Sequence, residues 1–339
     1  GLVVVLCYDK TNDGICMSLR KEGSIQFNGS PEHFELLFDL EKSLDYKVKE
    51  FGSVEMLKYQ ASLIPEICKP LTEFIEVDRE IIGYAYSGHN HWAFEASLLD
   101  SNLSFPSQES YLEVGEMFLR RQIDRARSIS GVRTLRDWLF QANQFMESFY
   151  ERNGFEITHT EYVSEIIIPD FDDQKFSNRI EKLEKSGIRI EDLRSLQSRY
   201  PDWEKKLYLL WMALEKNVPT DLVEPTQTID NWRRTLIAPW FNPCHVYIAV
   251  DGNEWIGLSS YDRGDTVSGS VSTDLTGVLP EYRRRGICSG LKVHALGRMR
   301  AEGAERIFTS NEENNPMLEI NLALGFKKIG TESACKLEL

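Results

Sequence analysis

The chain has 339 residues, 42% of them hydrophobic, and a formal net charge of −14. That length is ample for a core and suits two domains better than one. The acidic balance argues against a general nucleic-acid binder. Six scattered cysteines, none in a CxxC pair, point to reduced thiols and a cytoplasmic protein. Residues 2–7 are apolar but too short to cross a membrane and have no basic flank, so a buried strand is expected there and no membrane partner.

In chain order, residues 1–23 have no assigned role. Alternating and helical patterns then predict a strand at 24–28, helices at 33–44 and 54–63, strands at 74–77, 81–86 and 92–99, and a helix at 111–128. Asp170-Phe-Asp-Asp173 and the charged helix after it read as a linker. A short strand at 188–190 follows, then helical patterns through Trp211 and over 229–237. Strands are expected at 246–250, 255–261 and 271–279, with Asp251-Gly252 as a hairpin turn. A helix after Gly286, a strand at 306–310, a helix at 317–324 and a last strand from Phe326 complete the chain.

The two halves repeat. Gly83 and Gly257 lie 174 residues apart, as do Pro106 and Pro280, and Gly154-Phe155 precedes Gly325-Phe326 by 171. Three landmarks at nearly one offset argue for a duplicated domain, and the period is too long for a solenoid.

The most chemically specific stretch is LTGVLPEYRRRGICSG, residues 275–290. An apolar strand stops at Pro280, three arginines and Gly286 follow, and then a helical pattern begins. A strand that turns through an Arg/Gly loop into a helix builds an anion site, because the first helical N–H groups are unpaired and the helix dipole adds positive potential. Further basic residues follow at Lys292, Arg298, Arg300 and Arg306; a solvated helix face is the plain reading of those.

Arg283, Gly286 and Cys288 take the places of the Arg/Gln-x-x-Gly-x-Gly/Ala loop of the GCN5-related N-acetyltransferases, the GNAT superfamily, with Cys288 replacing the small final residue. The order of elements in each half is also similar to that fold. The likeness covers nearly the whole chain after residue 23 and extends to bacterial tandem GNAT proteins, the group that includes mycothiol synthase. It implies a mixed α/β architecture of two tandem domains, each a mostly antiparallel splayed sheet flanked by helices: 24–164, degenerate, and 165–339, carrying the acetyl-CoA loop. It further implies that main-chain groups near Leu275, Gly277, Val278 and Leu279 pair with the pantetheine arm. Arg283, Arg284, Arg285, Gly286, Ile287, Cys288, Ser289 and Gly290 would hold the pyrophosphate, and Asn311 and Asn315 would lie near the thiol. The first half reads Pro106-Ser-Gln-Glu-Ser-Tyr-Leu-Glu-Val-Gly-Glu116 over the loop. It has no arginine and has Leu112 in place of Gly286, so no acetyl-CoA is expected there, and Gly115→Glu is expected to leave acetyl-CoA binding unaffected.

Direct attack of an amine on a thioester needs a base, an oxyanion site and an acid for the leaving thiolate. Asp274 is the first candidate base, with Glu312 and Glu313 behind it; solvated surface acids are the alternative. Many GNATs place an acidic Tyr four residues before the Gly-Phe glycine. That position is Asn321 here, while the first half keeps Tyr150. Tyr282, Tyr261 or water remain as acids, with packing the plainer role for Tyr282. Asn314 or Asn315 caps the next helix on the plain reading. His245 and His294 read as structural, Cys288 as a small loop residue, and His89-Asn-His91 lacks further ligands, so no metal is expected. The reading is an acetyl-CoA-dependent N-acetyltransferase acting on a small-molecule amine through its second half. A non-catalytic acyl-CoA sensor and a protein N-acetyltransferase stand as alternatives.

Overall fold

Strand and helix periodicities alternate along the chain, and the elements follow them. A computed structural model describes residues 2–9, 14–43, 52–139, 144–220, 223, 228–265 and 269–339. In the first half these form β1 (Leu2–Asp9), β2 (Gly14–Gln26), α1 (Pro31–Ser43), α2 (Val54–Leu63), β3 (Leu71–Val77), β4 (Glu80–Gly88), β5 (Leu98–Ser104), α3 (Leu112–Ser128), β6 (Thr134–Leu139), α4 (Gln144–Arg152) and β7 (Glu156–Ile167). The second half comprises α5 (Ser177–Lys185), β8 (Ile188–Asp192), α6 (Leu193–Gln197), α7 (Trp203–Glu215), α8 (Ile229–Arg233), β9 (Val246–Asp251), β10 (Glu254–Asp265), β11 (Ser270–Val278), α9 (Ile287–Ala301), β12 (Arg306–Glu312), α10 (Pro316–Leu324) and β13 (Lys327–Glu338).

The strand expected over residues 2–7 forms as β1, which pairs antiparallel with β2. One expectation changes. The strand expected at 92–99 lies later, at β5. The Asn90 side-chain oxygen accepts the N–H groups of Trp92 at 2.9 Å and Ala93 at 3.0 Å, which folds that apolar stretch into a turn.

The chain divides into two compact units, neither continuous in sequence. One is Gly1–Val48, Gln60–Thr160 and Glu332–Leu339; the other is Lys49–Tyr59 and Glu161–Thr331. In the first unit the strands run β1-β2-β3-β4-β5-β6, and Ser333–Glu338 of β13 closes the edge against β6. In the second they run β8-β9-β10-β11-β12, and Glu161–Ile167 of β7 pairs with β12. Each sheet is thus completed by a strand from the other half of the sequence. All these pairs are antiparallel except β5/β6 and β11/β12.

Those two parallel pairs place the site. β11 and β12 bond only over Ser270–Ser272 and Arg306–Phe308. Beyond Ser272 the ladder between them stops and leaves a gap. Two repeat landmarks have one physical cause. A Cβ on Gly83 would fall 2.0 Å from the Ser104 carbonyl oxygen, and one on Gly257 would fall 2.8 Å from that of Gly277. At both positions the next strand presses on the backbone, beside a shift of register.

Candidate functional site

The turn after β11 is a run of donors without acceptors. Pro280–Tyr282 is one 3-10 turn, Arg283 is extended, and Gly286 caps α9. Arg284 has φ 61° and Gly286 has φ 80°. The N–H groups of Tyr282 and Arg283 bond the carbonyls of Leu279 and Pro280, and that of Gly290 bonds Gly286 at 2.9 Å. Between them, the six N–H groups from Arg284 to Ser289 donate to no backbone carbonyl among the described residues. Left-handed residues alternating with right-handed ones turn successive N–H groups into a concave nest, and the helix dipole adds to its positive potential. A left-handed Arg284 costs about 1–2 kcal/mol, strain of the kind that collects at binding sites. The space over Gly286 is open: a Cβ there would meet nothing within 4 Å.

Side chains hold this loop in place. Arg283 donates from Nε to the Val278 carbonyl at 3.3 Å, tying the loop to the end of β11. The Arg285 guanidinium lies over the Tyr282 ring at 5.5 Å. Ile287 is buried in the core. Arg179 of α5 donates to the Ser289 hydroxyl and lies over Phe176 at 4.8 Å. Sequence reasoning missed Arg179; its only signal was a cation on the charged helix after Asp173. Gly290 serves packing, since a Cβ there would lie 2.3 Å from Leu183 of α5. Burial pushes the Cys288 thiol up to about 11, so it stays a neutral thiol.

Beside the gap, β11 carries a bulge. The register passes from Ser259 opposite Thr276 to Tyr261 opposite Thr273, so β11 has one extra residue facing Ser260. Ser260 fills the break: its hydroxyl accepts the Leu275 N–H at 3.0 Å and reaches Asp274 Oδ2 at 3.1 Å. Bulges re-aim side chains, and this one turns Asp274 toward Asp262 and Glu215. Burial and the Asp274 charge hold the Asp262 carboxyl well above the usual range. Asp274 is raised by burial and by Glu215. Glu215 is raised by burial as well, while Trp211 Nε1 donates to it at 3.0 Å. Asp274 is exposed to solvent beside the gap where the β11–β12 ladder stops, so it lines a cleft open to water. Leu275 is buried against α7, and Gly277 faces Leu214 of that helix. Val278 and the partly buried Leu279 pack on the two cores.

Across the gap, Asn321 donates from Nδ2 to Asn311 Oδ1 at 2.6 Å, and Asn321 is fully buried. Asn315 caps α10, accepting the Met317 N–H at 2.9 Å, and Pro316 follows in the first turn. Glu312 ends β12, and its carbonyl accepts the Asn315 N–H at 3.0 Å. Glu313 accepts a hydrogen bond from the Tyr162 hydroxyl at 3.2 Å. Tyr261 is buried and its phenol is pushed up to about 12; Tyr282 packs on the core. Among the described residues no three His, Cys, Asp or Glu side chains are grouped to hold a metal ion, and no helix is long and apolar enough to cross a membrane.

The first half keeps the frame and closes the cleft. Its loop is a 3-10 turn, Glu109–Tyr111, running straight into α3 at Leu112, with no left-handed residue. Asp137, at the position of Asn311, accepts from the Leu103 N–H and the Ser101 hydroxyl at 3.2 Å each, and from the Tyr150 hydroxyl. Asp100, at the position of Asp274, is bonded by Arg136 Nε at 2.8 Å. A Cβ on Gly115 would lie 2.4 Å from the Phe105 ring, so a side chain there collides with the core of the first unit.

The sequence model of the Acetyltransferase (GNAT) family matches residues 203–326. Among solved structures, the chain is similar to the "Tandem GNAT protein from the clavulanic acid biosynthesis pathway" (TM-score 0.70, 13% identity, 94% of this chain and 98% of that one). It is also similar to a GCN5-related N-acetyltransferase from Sphaerobacter thermophilus (TM-score 0.60, 14% identity, 94% and 95%). A GNAT-family acetyltransferase from Colwellia psychrerythraea aligns as well (TM-score 0.55, 9% identity, 94% and 99%). No curated protein matches the sequence.

Proposed function

We propose that this chain, a tandem GNAT protein, is an acetyl-CoA-dependent N-acetyltransferase for a small-molecule amine, with its active site in the second half. The observation that carries this reading is the nest of free N–H groups from Arg284 to Ser289 beside the bulge that bears Asp274. The nest, with Arg179 behind Ser289, suits a diphosphate. The edge of β11 left unpaired beyond Ser272 suits an extended amide-bearing arm, which pairs as a strand would.

Asp262 is protonated near neutral pH and leaves the charge to its neighbours, so Asp274 and Glu215 attract an ammonium into the cleft. Asp274 then accepts its proton, and the neutral amine attacks the thioester carbon as the C–S bond breaks. A base with a raised pKa is well matched to that task near neutral pH. Asn321 has no acidic proton for the leaving thiolate, so water or the incoming amine's own proton serves there. That same residue favours a second reading, in which the chain binds acyl-CoA without turning it over. In the first half Arg136 neutralises the counterpart aspartate and Asp137 bridges the gap, consistent with a supporting role.

Calorimetric titration with acetyl-CoA, followed by a thiol-release assay over a panel of amines, tests the reading. Binding with release on a cationic amine supports it. Binding without release on any amine supports the sensor, and absence of binding refutes both. Gly286→Glu is expected to abolish binding, and Glu113→Arg, at an exposed position of α3, to leave it intact.

A further inference from the structure

Helix α9 buries a cation. Lys292 is 1% exposed, and its Nζ has no hydrogen-bond partner among the described residues. It lies one helical turn after Cys288, whose N–H belongs to the nest, and helical side chains lean toward the N-terminus. Nζ stands 5.7 Å from the centre of the Phe326 ring, at the junction of α10 and β13 across the gap.

Among the described residues, the groups that act on it carry no negative charge. From α9 it faces Cys288, a neutral thiol; from the α10–β13 junction it faces the Phe326 ring. α5 contributes Arg179, engaged with Ser289. β10 and β11 contribute Ile256, Tyr261, Val271 and Val278 to the same core. Arg283 acts on Cys288 and only adds positive charge. Burial therefore pushes Lys292 down to about 8. An ammonium buried without an anion is costly, and the feature adjoining it is a nest suited to one.

We propose that Lys292 is the buried part of the anion site, the counter-charge for the diphosphate held by the nest, and that donor binding draws a proton onto its Nζ. This rests on the acetyl-CoA reading above and adds a residue and a proton linkage to it. The free protein is partly deprotonated at Nζ near pH 8, and the bound anion favours the ammonium. About half a proton per donor is then taken up at pH 8, falling toward none by about pH 6.5.

Acetyl-CoA is titrated into the full-length chain by calorimetry at pH 8 and 6.5, in buffers of different ionisation heat. The wild type is expected to take up protons at pH 8 only. Lys292→Met, which retains the stem volume, and Lys292→Gln are expected to lose that uptake and bind about tenfold more weakly, while the thermal unfolding of Lys292→Met is no lower than that of the wild type. Equal uptake in wild type and variants, or none in the wild type, overturns the role of Lys292 and leaves the acetyl-CoA reading standing. Absence of binding by the wild type overturns both.

Discussion

Asp100 and Asp274 stand 174 residues apart at one position of the repeat, yet only Asp100 is bonded to a guanidinium, Arg136 Nε at 2.8 Å. Asp274 has the Ser260 hydroxyl at 3.1 Å instead, and two further carboxyls nearby. One aspartate is neutralised inside its unit; the other keeps its basicity. Asp274→Asn is expected to lower turnover by about 10²–10⁴ and to leave the acetyl-CoA dissociation constant within about twofold. Asp100→Asn is expected to leave turnover intact and to cost about 2–3 kcal/mol in urea unfolding, because the buried Arg136 loses its ion pair with Asp100. Equal loss of turnover in both variants would refute the assignment.

The carboxyl pair sets the pH dependence. Asp262 and Asp274 are raised in the folded state, so that state retains protons the unfolded chain releases. Their contribution to stability is therefore greatest at low pH and falls as pH rises from the usual carboxylate range through the raised values. Urea unfolding is expected to lose about 1–2 kcal/mol from this pair between pH 5 and pH 8, after the screening that the open side of Asp274 provides. Asp262→Asn should flatten that slope. Turnover runs the other way, rising with pH as Asp274, held up to about 6 by burial and by Glu215, ionises; Glu215→Gln should move that limb lower. An unshifted limb in the variant would show that Glu215 does not tune the base.

Ser260 holds the bulge that aims Asp274. Ser260→Ala leaves the Leu275 N–H without its 3.0 Å acceptor, at an expected cost of about 1–3 kcal/mol. Turnover should fall while donor affinity holds, because the nest lies beyond the bulge. A thermal melt beside steady-state kinetics separates the two effects, and undiminished turnover would argue against the positioning role.

Gly290 tests packing without chemistry. A Cβ there lies 2.3 Å from Leu183, so Gly290→Ala is expected to cost about 1–3 kcal/mol by overpacking. Leu183→Ala in the same chain should recover part of that loss, a coupling that a double-mutant cycle reads directly. Without recovery, the clash with Leu183 is not the cause.

The loop and the repeat were legible because local rules write them. A Pro stop, an Arg/Gly turn and a helical period occupy consecutive residues, and left-handed backbone at Gly286 follows from glycine's missing Cβ. The repeated glycines at 83 and 257 were legible as spacing; the strand pressing on each was not. Arg179 was illegible because its partner, Ser289, is 110 residues away. The turn at 91–97 was misread because a single Asn90 side chain outweighed the apolar pattern of Trp92 and Ala93.

By itself, then, the sequence determined the duplicated mixed α/β architecture, the strand–turn–helix of the anion loop and the absence of that loop from the first half. These depend on periodicity and backbone conformation over a few residues. Only the tertiary structure decided which carboxylates meet, that a bulge turns Asp274 into the cleft, and that Asp137 closes the equivalent gap. It also decided that β7 and β13 each complete the sheet of the other half. Those outcomes depend on registry and on burial across more than a hundred residues, where a one-residue slip re-aims every side chain and no local pattern records the partner.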